Sequence, residues 1–254
     1  MTIYVRPDGA VPSALITGAS RGIGYGVAAR LAARGYGLTI TARGQDGVNA
    51  VVDDLRGLGS PRVVPAAADL SDPVAPAEIV AAHRRAFGSL DVLILNAGIG
   101  TAGSVESLPP RRLRKMVDVN FVAPFLLVQE SLDMLRMAAR ASPQVGSRII
   151  ALSSILGIHP TPGLSAYGAT KAALLALVDG INREESAGGV LATGLAPGYV
   201  DTDMASYVHD SVDPKQMLTV TDVSAVVDMI TQLSRSAMIS RIVMGRSSTD
   251  GRSA

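Results

Sequence analysis

Ala14-Leu15-Ile16-Thr17-Gly18-Ala19-Ser20-Arg21-Gly22-Ile23-Gly24 sets the reading of this chain. A short apolar run, the length of a buried strand, enters a glycine turn, and helical periodicity follows from Ile23 to Arg34. A turn in that context suits a phosphate. Gly18, Gly22 and Gly24 allow a tight bend and a close approach to the backbone. Ser20, Arg21 and Ile23 complete a loop whose free N–H groups and helix dipole face an anion.

Outward from this unit, short apolar runs alternate with helical stretches, the pattern of βα units in a parallel sheet. Strands are expected at Ala14–Thr17, Leu38–Ala42, Val63–Ala67, Val92–Asn96, Arg148–Ser153, Val190–Ala196 and Arg241–Met244. Helices are expected at Ile23–Arg34, Val48–Leu58, Pro76–Phe87, Arg111–Arg140, Ala166–Glu185 and Val223–Ser234. Runs such as Val92-Leu93-Ile94-Leu95 are apolar throughout, as strands covered on both faces must be. The fold class is therefore α/β, a doubly wound Rossmann-type parallel sheet in three layers. One domain over 13–245 is expected, with an N-terminal arm at 1–12 and a flexible tail at 246–254.

Ligands in such sheets lie outside the carboxyl ends of the strands, so those ends are read next. The second expected strand closes on Arg43, where an NAD enzyme usually carries an acid for the ribose hydroxyls. Arg43 and Arg21 together suit the 2′-phosphate of NADP(H), which a guanidinium binds with bidentate, charge-assisted bonds; Asp46 is the nearest rival acid. Asp69-Leu70 follows the third strand and Asn96-Ala97-Gly98 the fourth. Asp69 can accept a bond from an adenine amino group, and the small residues after Asn96 let a cofactor lie against backbone.

The fifth strand ends in Ser153-Ser154, and Tyr167 and Lys171 follow at i and i+4 of one helix, so the phenol and the ammonium share a face. Bringing a tyrosine from a pKa of about 10 to near 7 takes roughly 4 kcal/mol, which a neighbouring cation and a positively charged nicotinamide both favour. Two donors on one carbonyl oxygen are what hydride addition needs.

Taken in this order, the glycine turn, Asn96-Ala97-Gly98, the serine and the Tyr-x-x-x-Lys pair resemble the short-chain dehydrogenase/reductase family, over Ala14 to about Thr202. The similarity is to members of the 3-oxoacyl-[acyl-carrier-protein] reductase type. The resemblance implies that Ser154 orients the substrate oxygen, Tyr167 transfers the proton, and Lys171 lowers the tyrosine pKa and binds the nicotinamide ribose. Asn120 matches the family's helix asparagine, whose implied task is to hold a water in a relay to Lys171. Ser153 competes for the serine role, but the spacing to Tyr167 favours Ser154. Pro197-Gly198-Tyr199-Val200-Asp201-Thr202 resembles the segment that contacts the carboxamide, through the Thr202 side chain and the Val200 backbone. The implied reaction interconverts a ketone, a 3-oxoacyl thioester among the candidates, and a secondary alcohol. A homodimer or homotetramer is also implied. The last strand departs from the family's Asp-Gly-Gly ending, running Met244-Gly245-Arg246 instead.

Composition narrows the alternatives. The 254 residues carry a formal charge of +1 with both signs interspersed, which argues against nucleic acid or an anionic membrane as partner. There is no cysteine, so thiol chemistry is excluded, and a cytoplasmic protein is expected. Met1–Ser13 has no apolar core for a signal peptide, and the longest uncharged run, Ile149–Thr170, is broken by prolines and polar residues. His83, His159 and His209 have no metal-ligand spacing, so no metal is expected. The basic cluster Arg111, Arg112, Arg114 and Lys115 reads as a solvated helix face in preference to a docking site for an acyl carrier protein. A non-catalytic NADP(H)-sensing regulator on the same fold is the runner-up. It usually lacks the tyrosine or lysine that this chain keeps. Sugar-nucleotide epimerisation would need a larger region after Thr202.

Overall fold

Residues 6–247 and 249–251 are described in a computed structural model. Met1–Val5 of the expected arm, and Ser248 and residues 252–254 of the expected tail, lie outside the described residues. Seven parallel strands form one sheet: β1 (Ser13–Ile16), β2 (Gly37–Ala42), β3 (Val63–Ala67), β4 (Val92–Leu95), β5 (Ser147–Leu152), β6 (Val190–Pro197) and β7 (Arg241–Met244). Their order is β3-β2-β1-β4-β5-β6-β7, so the winding reverses between β1 and β4. That reversal opens a crevice at the carboxyl ends of the two strands, directly above the glycine turn.

The helices are α1 (Gly22–Ala33), α2 (Gln45–Asn49), α3 (Val52–Gly57), α4 (Ala75–Phe87), α5 (Pro110–Val117), α6 (Ala123–Ala141), α7 (Ser165–Glu185) and α8 (Val220–Gln232). Alternate strand residues feed two cores, as the period of two demands. Ile16, Leu38, Ile40 and Ile150 pack with Val27, Leu31, Leu55, Val223 and Val227 of α1, α3 and α8. Leu15, Leu93, Leu95 and Ile149 pack with Ile79, Leu127, Leu135, Leu174 and Val178 of α4, α6 and α7. Each such Leu or Ile, fully buried, contributes about 1.5–3 kcal/mol, so the central strands are the anchored part of the molecule. The edge strands β3 and β7 are covered less completely.

Two expected helices are divided. The stretch read as Val48–Leu58 is α2 and α3, separated at Ala50 and Val51. The stretch read as Arg111–Arg140 is α5 and α6 joined by a π-helical turn, Asp118–Val122, in which the Ala123 N–H reaches back to the Asp118 carbonyl. Pro124 explains the second division. It has no N–H to offer the Asn120 carbonyl four residues earlier, and its ring crowds that carbonyl, so the turn widens.

The N-terminal segment is fastened from Arg6 onward. Arg6 is buried, pairs with Asp8 and Asp91, and donates to Ser89 Oγ. Beside it, His83 is wholly buried: Nε2 lies 3.0 Å from the Ser89 carbonyl and Nδ1 lies 2.8 Å from Thr39 Oγ1. Burial, helped by the Arg84 charge, pushes its pKa from 6.5 down to about 4. The folded state therefore binds this proton less readily than the unfolded chain. The stabilisation is complete above pH 6.5 and is lost as pH falls toward 4, a loss of about 3 kcal/mol. Urea midpoints measured at pH 7 and pH 4.5 should differ by less in His83→Gln than in the parent. Equal differences would exclude His83 as the source.

Candidate active site

Gly18 and Gly22 hold φ of +67° and +56°, the left-handed region where a side chain is strained. A Cβ on Gly24 would lie 2.2 Å from the Gly18 carbonyl oxygen, so α1 can begin this close to β1 only with glycine there. The first turn of α1 carries no acidic residue, and its N-cap, Arg21, makes no side-chain capping bond. The N–H groups of that turn are therefore left for an anionic group, the arrangement that fits a pyrophosphate.

Asn96, at the end of β4, holds this turn from below. Its Nδ2 donates to the carbonyls of Thr17 and Gly18, and its N–H, with that of Ala97, bonds to Thr17 Oγ1. The structure gives Asn96 the work of shaping the turn. Thr17, which sequence reasoning passed over, is its counterpart; the signal was a hydroxyl at the strand end immediately before the first glycine. Gly98 is constrained more mildly, since a Cβ there would stand 3.1 Å from Lys171 Nζ and 3.4 Å from Asn120 Oδ1.

The chemical groups converge on the same crevice from β5 and α7. Ser154 accepts the Leu156 N–H, and its hydroxyl acts on the Tyr167 phenol, favouring the ionised form. Ser153 points the other way and donates to the Lys171 backbone carbonyl at 2.8 Å, which pins α7 to β5. Geometry thus separates the two serines. Lys171 Nζ is buried, donates to the Leu152 carbonyl at 2.7 Å, and lies 5.8 Å from the centre of the Tyr167 ring. Asn120, in the π-helical turn, is wholly buried; Oδ1 accepts the Ile99 N–H and Nδ2 donates to the Ile99 carbonyl.

Burial governs the electrostatics of this pair. In the protein alone, burial pushes Tyr167 up to about 12, with the Ser154 bond opposing, and burial pushes Lys171 down to about 8. Burial is the larger of the two influences on the phenol. The phenol therefore keeps its proton through neutral pH.

Other expected positions are distributed around the crevice. Thr202 lies over the glycine turn, its Cγ2 3.4 Å from where a Gly22 Cβ would be, and its hydroxyl donates to the Val200 carbonyl. The Gly198 N–H bonds to the Met244 carbonyl, and Pro197 ends β6. Asp69 caps its own turn by accepting from the Ser71 N–H and hydroxyl; these bonds, with lesser help from Lys115 and Arg43, hold its carboxyl below the usual range. Leu70 is buried beside it. The two arginines are both exposed. Arg43 is exposed near Asp69, whereas Arg21 pairs with Asp203 at 2.8 Å across the crevice. Arg111, Arg112, Arg114 and Lys115 are all exposed on α5. Among the described residues, no group of three or more His, Cys, Asp or Glu is placed to hold a metal, and no helix is long and apolar enough to cross a membrane.

This geometry has known counterparts. The model of the short chain dehydrogenase family matches residues 12–213. The chain belongs to that family. This short-chain dehydrogenase is 34% identical over 211 residues to a 3-oxoacyl-[acyl-carrier-protein] reductase of Staphylococcus aureus, with 82% of this chain and 81% of the relative covered. A short chain dehydrogenase from Burkholderia cenocepacia, solved in complex with NADP, superposes with a TM-score of 0.79 at 34% identity, covering 92% of this chain and 95% of that one. A 3-oxoacyl-[acyl-carrier protein] reductase from Brucella melitensis, solved with NAD, superposes at 0.78 with 31% identity, covering 87% and 90%. The family assignment makes this short-chain dehydrogenase an oxidoreductase. Its sheet is of the Rossmann type expected from the glycine turn.

Proposed function

We propose that this short-chain dehydrogenase transfers hydride between NADP(H) and a ketone/secondary-alcohol pair, with Tyr167 as general acid and base. The observation that carries the reading is the meeting of Ser154, Tyr167 and Lys171 in the crevice above the uncapped start of α1. A bound nicotinamide dinucleotide supplies or accepts the hydride. Gly18–Gly24 would hold its pyrophosphate, Asp69 and Leu70 its adenine end, and Lys171, Val200 and Thr202 its nicotinamide end. Ser154 and Tyr167 together offer two hydroxyl donors to one substrate oxygen, and Tyr167 gives or takes the proton there.

Two further features refine the proposal. Arg43, an exposed cation at the end of β2 where NAD enzymes carry an acid, supports NADP(H) over NAD(H). The likeness to 3-oxoacyl-[acyl-carrier-protein] reductases makes a 3-oxoacyl thioester the first substrate to try. Calorimetric titration with NADPH and NADH, followed by nicotinamide absorbance with a panel of ketones and 3-oxoacyl thioesters, tests both. The expected result is tight NADPH binding and oxidation by one class of the panel; binding without turnover would favour the sensor reading. Arg43→Ala should weaken NADPH relative to NADH by about 10- to 100-fold. An unchanged ratio would remove the phosphate argument.

A further inference from the structure

Asn120 has three bonds, and the third leads out of the residues considered so far. Its Nδ2 donates to Thr170 Oγ1 at 3.0 Å in a buried setting, and Thr170 Oγ1 donates to the Tyr167 backbone carbonyl at 2.8 Å. A threonine hydroxyl has one hydrogen. Committed to Tyr167, it leaves Thr170 only an acceptor toward Asn120, so the amide must turn its NH2 to α7 and its oxygen away. Ile99 makes the same demand from the other side, its N–H meeting Oδ1 and its carbonyl meeting Nδ2. Asn120 Oδ1 is thereby held near Gly98, on the side where Lys171 Nζ also lies.

We propose that Thr170 is a positioning residue, whose hydroxyl fastens the loop Asn96–Ile99, through Asn120, to the helical turn that carries Tyr167 and Lys171. The inference rests on the catalytic reading of that turn. The bland alternative is a helical threonine bonding its own i−3 carbonyl, a common local habit. Burial argues for more, because Asn120 is wholly enclosed and Thr170 nearly so, at 5% exposure. Without the hydroxyl, one amide hydrogen of Asn120 loses its partner where water cannot replace it. The loop and α7 then lose a shared reference point.

Thr170→Val removes the hydroxyl at nearly constant shape, and Thr170→Ser keeps it. In Thr170→Val, kcat should fall by about tenfold or more while the carbonyl KM and the NADPH Kd change by less than about threefold. The limb of the kcat/KM pH profile set by Lys171 and Tyr167 should move, and Thr170→Ser should restore both rate and profile. Exchange of the Asn120 side-chain amide hydrogens, followed by NMR, reads the link without turnover: it should accelerate by about tenfold or more in Thr170→Val and not in Thr170→Ser. If Thr170→Val does not fold, Thr170→Ala takes its place in every measurement. Unchanged exchange in the valine or alanine variant, or a serine variant as impaired as either, would overturn the proposal. Should the parent turn over no carbonyl at all, the functional reading fails separately, and the exchange measurement alone decides the role of Thr170.

Discussion

Tyr167→Phe is expected to lower kcat by a factor on the order of 10³ while leaving NADPH affinity within about threefold, since it removes only the proton-transfer group. The ring stays, and so does its packing beside Lys171. What goes is the hydroxyl on which Ser154 acts. Because burial holds the phenol up at about 12, reduction finds its proton in place across neutral pH. Lys171, pushed down to about 8, is a cation below that pH and loses its charge above it. The reductive kcat/KM for NADPH, which reports the free enzyme, should therefore be level through pH 7 and decline above about 8. Stopped-flow reduction by Tyr167→Phe at the parent rate would show that the proton comes from elsewhere, and the mechanism would have to be rebuilt.

The strands were legible because buried parallel strands must be apolar throughout, as Val92–Leu95 and Ile149–Leu152 are. The glycine turn was legible because few sequences satisfy a strand, three glycines and a helix in succession. Less accessible was what a single backbone group does. Pro124 falls inside the stretch read as one helix, Arg111–Arg140, yet its missing N–H falls four residues from Asn120 and opens the π-helical turn. What the hydroxyls of Thr17, Ser153 and Thr170 do was not legible, because a hydroxyl's role depends on which groups face it in three dimensions, and sequence spacing does not encode that. The burial of Tyr167 was hidden for a related reason: the i, i+4 spacing shows that Lys171 is near, but not how much protein surrounds the phenol. Arg21 was read by chemistry alone. Its engagement with Asp203 depends on a segment more than 180 residues away in sequence.

Gly24→Ala should lower Tm by roughly 5–10 °C and abolish measurable NADPH binding, the larger of the two stability effects expected at glycines in this chain. The added Cβ would stand 2.2 Å from the Gly18 carbonyl oxygen and 2.5 Å from Asn96 Nδ2. Neither neighbour can give way cheaply. The first is backbone in a turn with φ of +67°, and the second is tied to both Thr17 and Gly18. Relief requires α1 to move off β1, which carries the free N–H groups of its first turn away from the phosphate position. Gly180→Ala supplies the contrast. It lies within α7, nothing stands within 4 Å of its Cβ position, and its φ is not positive, so alanine there should raise Tm by roughly 1–4 °C through the lost entropy of the unfolded chain. Calorimetric melts of both variants, with NADPH titrations beside them, separate a general intolerance of added methyl groups from the specific demand at the turn. A Gly24→Ala protein that binds NADPH as the parent does would show that the cofactor approaches by another route.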